Sequence, residues 1–72
     1  MGISRLTALI IQTSNVSVET FRSPDEEKYG FIISRMERGN YQKLLSTKPY
    51  ASNRDKAKSD GEGIVRKIKK DD

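Results

Sequence analysis

The side chains that could do chemistry in this sequence are carboxylates, lysines, arginines and tyrosines, because it contains no cysteine and no histidine. That composition excludes a thiol nucleophile, an imidazole base, a disulfide framework and the usual zinc or haem ligands. The remaining residues form no known catalytic motif, such as a phosphate-binding P-loop or a nucleophile elbow. We therefore expect a protein that is not an enzyme, that holds no metal or cofactor and that has no small-molecule substrate.

Two short stretches resemble ligand sites but have simpler explanations. The three consecutive carboxylates of residues 25–27 offer oxygen ligands, yet they follow Pro24 and lack the spacing of a calcium loop. Residues 61–63 look like a glycine turn that cradles phosphate, yet they lie inside a predicted helix and follow no strand. We interpret the first stretch as a solvated acidic loop and Gly61 as a close approach between the helix and a strand.

Length and composition predict one small domain with a thin core. The chain has 72 residues, of which 33% are hydrophobic, and a net charge of +4. A domain of this size buries only about 60% of the surface that its unfolded chain exposes, so contact with a partner would help it fold. The longest apolar run, residues 8–11, is too short to span a bilayer or to form a signal-peptide core. We expect a cytoplasmic domain over residues 1–72 without membrane contact.

The N-terminal segment permits two interpretations. Residues 5–13 are rich in Leu and Ile, and the polar pair Ser14 and Asn15 separates them from an alternating stretch at 16–21. The favoured prediction is a two-strand hairpin that turns at the polar pair. The alternative is a short helix capped by Ser4, because the apolar residues also recur every three to four positions.

The rest of the chain predicts a hairpin and a helix. Residues 29–35 alternate as a strand, and residues 37–40 offer a turn, with positive φ at Gly39 or Asn40, into a strand at 41–46. A helix capped by Ser52 or Asn53 then runs to about Lys70 with one apolar stripe. The predicted fold class is α+β: an antiparallel sheet of three to four strands packed against one C-terminal helix, in the order β-β-β-β-α or β-β-β-α.

Self-association is the favoured function. Exposed strand edges pair readily with a second copy, and a chain with so few apolar residues gains core by dimerising. The segment from Leu6 to Ile11 is the expected contributor, because it is apolar on both faces of a strand. An internal strand of a monomer would explain the same pattern. We therefore predict a protein-interaction module, either a homodimer or a partner of another protein.

Nucleic-acid binding is the alternative function. The second half of the chain combines basic residues for phosphate contacts with tyrosines for base stacking. The candidate residues are Arg38, Lys43, Lys48, Arg54 and Lys58 for phosphate, and Tyr41 and Tyr50 for stacking. A plain solvated surface is the favoured explanation of the basic residues, because acidic side chains are interleaved with them along the predicted helix.

Two families resemble parts of the sequence. From residue 29 to residue 68 the chain resembles the YegP-like repeat, on the stretches 29–33, 39–40 and 44–52 and on Ala57. That resemblance implies a β-β-β-α unit, of unknown biochemical function, whose strands pair with those of a second unit in one larger sheet. Residues 52–58 after a three-stranded sheet are similar to the basic start of the last helix in double-stranded RNA-binding domains, a fold that also has an N-terminal helix.

Overall fold

A computed structural model describes residues 3–70 as two helices and three strands. In chain order these are α1 (Arg5–Thr13), β1 (Val16–Ser23), β2 (Lys28–Glu37), β3 (Asn40–Ser46) and α2 (Arg54–Lys70). The strands form one antiparallel sheet in the order β1-β2-β3, and α2 packs across β1 and β2. The α+β class and the C-terminal helix on a three-stranded antiparallel sheet are confirmed.

The strand favoured for residues 5–13 is wrong, and the alternative helix is confirmed as α1. The Ser4 hydroxyl accepts a hydrogen bond from the backbone N–H of Thr7 at 3.1 Å and so caps the helix. Ile11 is completely buried in the core, whereas Leu6 and Leu9 are 68% and 54% exposed. Consequently Ser14 does not turn a hairpin; it ends the helix in an extended conformation that leads into β1.

The second hairpin forms where the sequence predicts it. β2 and β3 are joined by a two-residue turn in which Arg38 and Gly39 have φ values of 53° and 83°. Two positive φ values characterise the type I′ turn, whose twist matches that of the flanking strands. Of the two residues predicted to have a positive φ, Gly39 has one and Asn40 instead begins β3. Arg38 also has a positive φ.

The C-terminal helix also begins and packs as predicted. The Asn53 side-chain oxygen accepts a hydrogen bond from the backbone N–H of Lys56 at 2.8 Å, which satisfies one free donor of the first turn. Ala57 and Gly61 are buried against the sheet. A Cβ atom added at Gly61 would lie 2.6 Å from Cγ1 of Val18, so the close approach between helix and strand is confirmed.

The core is small and lies between the sheet and the two helices. Its buried residues are Ile11 of α1 and Phe31 and Ile33 of β2, with partly buried side chains from β1, β3 and α2 packed around them. The segment that links β3 to α2 is tied to β2 by backbone hydrogen bonds, from Thr47 N–H to the Phe31 carbonyl and between Tyr29 and Ala51. This attachment holds the linking segment beside α2.

Candidate functional site

The seven predicted nucleic-acid contacts fall into two groups at opposite ends of β3. Arg38 and Tyr41 lie at the β2–β3 turn, with Lys43 two residues further along β3. Lys48, Tyr50, Arg54 and Lys58 lie in the linking segment and the first turns of α2. Because β3 advances about 3.3 Å per residue, Tyr41 lies roughly 16 Å along the strand from its last residue, Ser46, and Lys43 lies roughly 10 Å from it. The structure does not bring them together as one patch.

At the turn end, Tyr41 is the most accessible stacking residue. Its side chain is 58% exposed, and it shares a shallow depression with Arg38. The neighbouring Arg35 is already engaged, because it donates hydrogen bonds to Gln42 at 2.6 Å and to Glu37 at 3.1 Å. The basic character of this end is therefore partly neutralised.

At the other end, aromatic rings and charges pair within the chain. The Arg54 guanidinium lies 5.9 Å from the centre of the Tyr29 ring, and the Lys56 ammonium lies 5.9 Å from that of Tyr50. The acidic loop at residues 25–27 lies at the same end, since it leads directly into Tyr29. These carboxylates lower the positive potential that phosphate contacts would need.

A hydrogen-bonded cluster joins the linking segment to α2. The Tyr50 hydroxyl donates to the Asp60 carboxylate at 2.6 Å, and Lys56 pairs with the same oxygen at 3.1 Å. Partial burial, followed by the hydrogen bond and the negative charge of Asp60, raises the pKa of Tyr50 to about 12. The hydrogen bonds from Tyr50 and Lys56 lower the pKa of Asp60 below its ordinary 3.8. The spacing of Lys56 and Asp60 could have predicted their pair; nothing local predicts Tyr50.

The raised pKa of Tyr50 predicts a late step in alkaline titration. Neutral Tyr50 stabilises the folded state fully below its ordinary pKa of 10.0, and this contribution is lost as the pH rises toward 12. Tyrosinate absorbance should therefore show one of three tyrosines titrating near pH 12, and Tyr50→Phe should remove that step. Tyr41→Phe is the control that keeps it. A late step that persists in Tyr50→Phe would contradict the assignment.

An apolar groove lies between α2 and the linking segment. It has a volume of about 880 Å³ and is lined by Phe31 and Ile64, with Lys48 on one wall and Lys67 on the other. Gly63 also lines it, and a Cβ added there would meet no atom within 4 Å. Sequence reasoning missed this groove because its walls come from segments that are distant in the chain.

The outer edge of β1 is the second open feature. Within residues 3–70, β1 pairs with β2 alone, and all eight of its residues are in continuous register from Val16 opposite Arg35 to Ser23 opposite Lys28. The other edge strand, β3, carries Lys43 and an irregular register beside Leu44, two features that discourage edge pairing. β1 has no lysine, proline or bulge.

Comparison with known proteins identifies no relative. No family model matches the sequence, no curated protein shows significant similarity, and no solved structure shows a significant match to the fold. In the described part of the chain, no helix is both long and apolar enough to cross a membrane. Among those same residues, no three acidic side chains are grouped so that they could hold a metal ion.

Proposed function

We propose that the protein is a non-enzymatic interaction module that forms a homodimer through β1. The observation that carries the proposal is the eight-residue free edge of β1, which has no lysine, proline or bulge to prevent pairing and carries only two charged side chains, Glu19 and Arg22. Antiparallel pairing of two β1 strands would join two three-stranded sheets into one sheet of six strands. The resemblance to YegP-like repeats, whose units share a larger sheet, supports the same arrangement.

The small core gives dimerisation an energetic reason. Only five hydrophobic residues of the described chain are buried: Ile11, Phe31, Ile33, Ala51 and Ala57. Val16 and Val18, on β1, pack against this core but remain partly exposed. A second copy placed along β1 would cover these side chains and satisfy the backbone groups of the edge.

The sequence of β1 favours one register. The two-fold axis of an antiparallel strand pair is perpendicular to the sheet, so it passes a residue that lies opposite its own copy, and paired residues point to the same face. Centring the pair on Thr20 places Thr20 opposite Thr20 of the second copy and Glu19 opposite Phe21 of that copy, with no like charges opposed. Centring it on Glu19 would oppose two like charges, which is unfavourable. In the favoured register, the helices of the two copies lie on the same face of the joined sheet.

Charges placed on the two-fold axis test both the dimer and its register. We expect Thr20→Glu and Thr20→Lys each to raise the dimer Kd about fivefold, because each variant opposes two like charges. An equimolar mixture of the two variants should restore tight association, because Glu then lies opposite Lys. Sedimentation equilibrium measures the unmodified protein, both variants and their mixture, and Glu26→Lys in the adjacent loop is the control for a charge change outside β1.

Two results would contradict this proposal. One is an unmodified chain that stays monomeric at high concentration. The other is a mixture of the two Thr20 variants that associates no more tightly than either variant alone, which would exclude the register.

A second candidate function, nucleic-acid binding, is favoured by the N-terminal helix. With α1 present, the elements follow the α-β-β-β-α order that the resemblance to double-stranded RNA-binding domains implies. This candidate ranks below the dimer because the basic residues lie in two separate groups and the acidic loop lies beside one of them, both of which weaken binding to phosphates. Binding to double-stranded RNA in low salt tests it: replacing a phosphate contact such as Lys58 by Ala should reduce the slope of log affinity against log salt by roughly 0.7 to 0.9. The absence of any shift of the RNA would exclude it.

A further inference from the structure

The groove between α2 and the linking segment is apolar, open and separate from the β1 edge. Ile64 and the ring of Tyr50 supply apolar surface in it, Phe31 lines it with only 3% of its own surface exposed, and no residue of β1 lines it. Its volume, about 880 Å³, lies in the range of sites that bind a ligand or a peptide side-chain cluster. Exposed apolar surface of this kind is unfavourable in water, so a ligand that covers it would gain free energy. The groove is therefore a candidate binding site.

Gly63 shows that the groove is kept open at a cost. Glycine destabilises a helix interior relative to alanine, and Gly61 has a packing reason for that cost, because a Cβ there would collide with Val18. Gly63 has none, since a Cβ there would meet no atom within 4 Å. Its φ is also not in the left-handed region that requires glycine. What Gly63 permits is a close approach to the backbone of α2 from outside the chain.

The charges around the groove indicate the chemistry of the occupant. Asp60, on the α2 wall, is already occupied by Tyr50 and Lys56. Lys48 and Lys67, on opposite walls, form no ion pair with any residue of the described range 3–70. The groove thus presents apolar surface between two unpaired cations, and the complementary ligand has an apolar face with acidic groups on both flanks.

The length of the groove indicates a helix. Its α2 wall runs from Ser59 to Lys67, which at 1.5 Å per residue spans roughly 12 Å, or about two helical turns. An amphipathic helix presents anchors at positions i, i+3 or i+4, and i+7 over the same distance. We propose that this groove binds one amphipathic helix of a partner protein, with apolar anchors flanked on both sides by Asp or Glu.

Synthetic peptides test the proposal directly. The probe is a fluorescent helical peptide of roughly fifteen residues, a length at which isolated helices begin to be stable, with Leu anchors flanked by Glu. We expect it to bind at least about tenfold tighter than the same Leu pattern flanked by Lys, and than a shuffled Glu peptide without an apolar face. Equal binding of the three peptides would overturn the proposal, as would binding of the Glu-flanked peptide without helical circular dichroism.

Variants of the protein locate the binding. The double variant Lys48→Glu with Lys67→Glu should reverse the preference toward the Lys-flanked peptide. Lys43→Glu with Lys58→Glu makes the same charge change outside the groove and should preserve the original preference. If both double variants behave alike, the peptide responds to net charge and the groove is not its site.

Filling the groove supplies a second, independent measurement. Gly63→Leu should reduce binding at least about tenfold while thermal melting shows an intact fold, because leucine is a better helix former than glycine. Undiminished binding to Gly63→Leu would overturn the proposal. Thr20→Glu, which targets the β1 dimer and lies outside the groove, should leave peptide binding unchanged, so failure of the dimer and failure of the groove can be distinguished.

Discussion

Ile33→Ala is expected to lower the free energy of unfolding by about 2 to 5 kcal/mol, enough to unfold much of the protein. Ile33 lies in the central strand, has no exposed surface and packs with Ile11 and Phe31. Truncation removes buried methyl groups and leaves a cavity between the sheet and both helices. A small domain has a stability of only about 5 kcal/mol, and few other buried side chains can compensate.

Denaturant titration followed by circular dichroism measures this loss at a fixed protein concentration, since dimerisation would add concentration-dependent stability. Ile33→Val should cost only about 0.5 to 1.5 kcal/mol, because it removes one methyl group. Met36→Ala, at a position of the same strand that is 54% exposed, is the surface control and should change stability little. If Ile33→Ala and Met36→Ala cost the same, Ile33 is not a core residue.

The conformation of residues 5–13 shows where sequence reasoning reached its limit. The segment contains β-branched residues and apolar side chains at both periodicities, so local preferences leave strand and helix close in energy. The structure buries only Ile11 completely and leaves Leu6 and Leu9 exposed. A count of apolar residues therefore overstates how many of them face the core, and apolar side chains on both faces of a segment do not by themselves distinguish a strand from a helix.

Elements fixed by local chemistry were predictable. Positive φ at Gly39, the side-chain cap at Asn53 and the close packing at Gly61 each follow from the identity of one residue in its immediate context. The turn at Gly39 and the cap at Asn53 depend on contacts between neighbours in sequence. Gly61 is predictable for another reason: a glycine inside a helix is destabilising, so its presence indicates close packing. The hairpin and α2 were therefore predicted with the correct type and nearly correct ends.

The surfaces of the candidate sites depend on long-range contacts instead. Had residues 5–13 formed a strand paired with β1, they would have covered its outer edge. Because they form α1, β1 itself is an edge, and the segment at Leu6 to Ile11 that was expected to pair with a second copy cannot do so as a strand. The groove likewise exists because the linking segment is hydrogen-bonded to β2, a contact across at least sixteen residues that no local pattern encodes.

Two glycines in one helix are expected to respond in opposite directions to alanine. Gly61→Ala should lower the free energy of unfolding by about 1 to 3 kcal/mol, although alanine favours the helix by up to about 1 kcal/mol. The added Cβ would lie 2.6 Å from Cγ1 of Val18 and 2.9 Å from the Phe31 ring. Val18 is β-branched and held in a strand, and Phe31 is buried, so neither can move aside without disturbing the core.

Gly63→Ala should instead raise stability by about 0.4 to 1 kcal/mol, which for a domain of this size raises the melting temperature by several degrees. The new methyl group points into the open groove, so only the preference for helix changes. Thermal melts of the two variants provide a matched comparison, because the same substitution is made two residues apart in one helix. Destabilisation of both variants would mean that the groove at Gly63 is closed by the chain itself. Stabilisation of both would mean that α2 does not press on Val18, and the core described between helix and sheet would have to be revised.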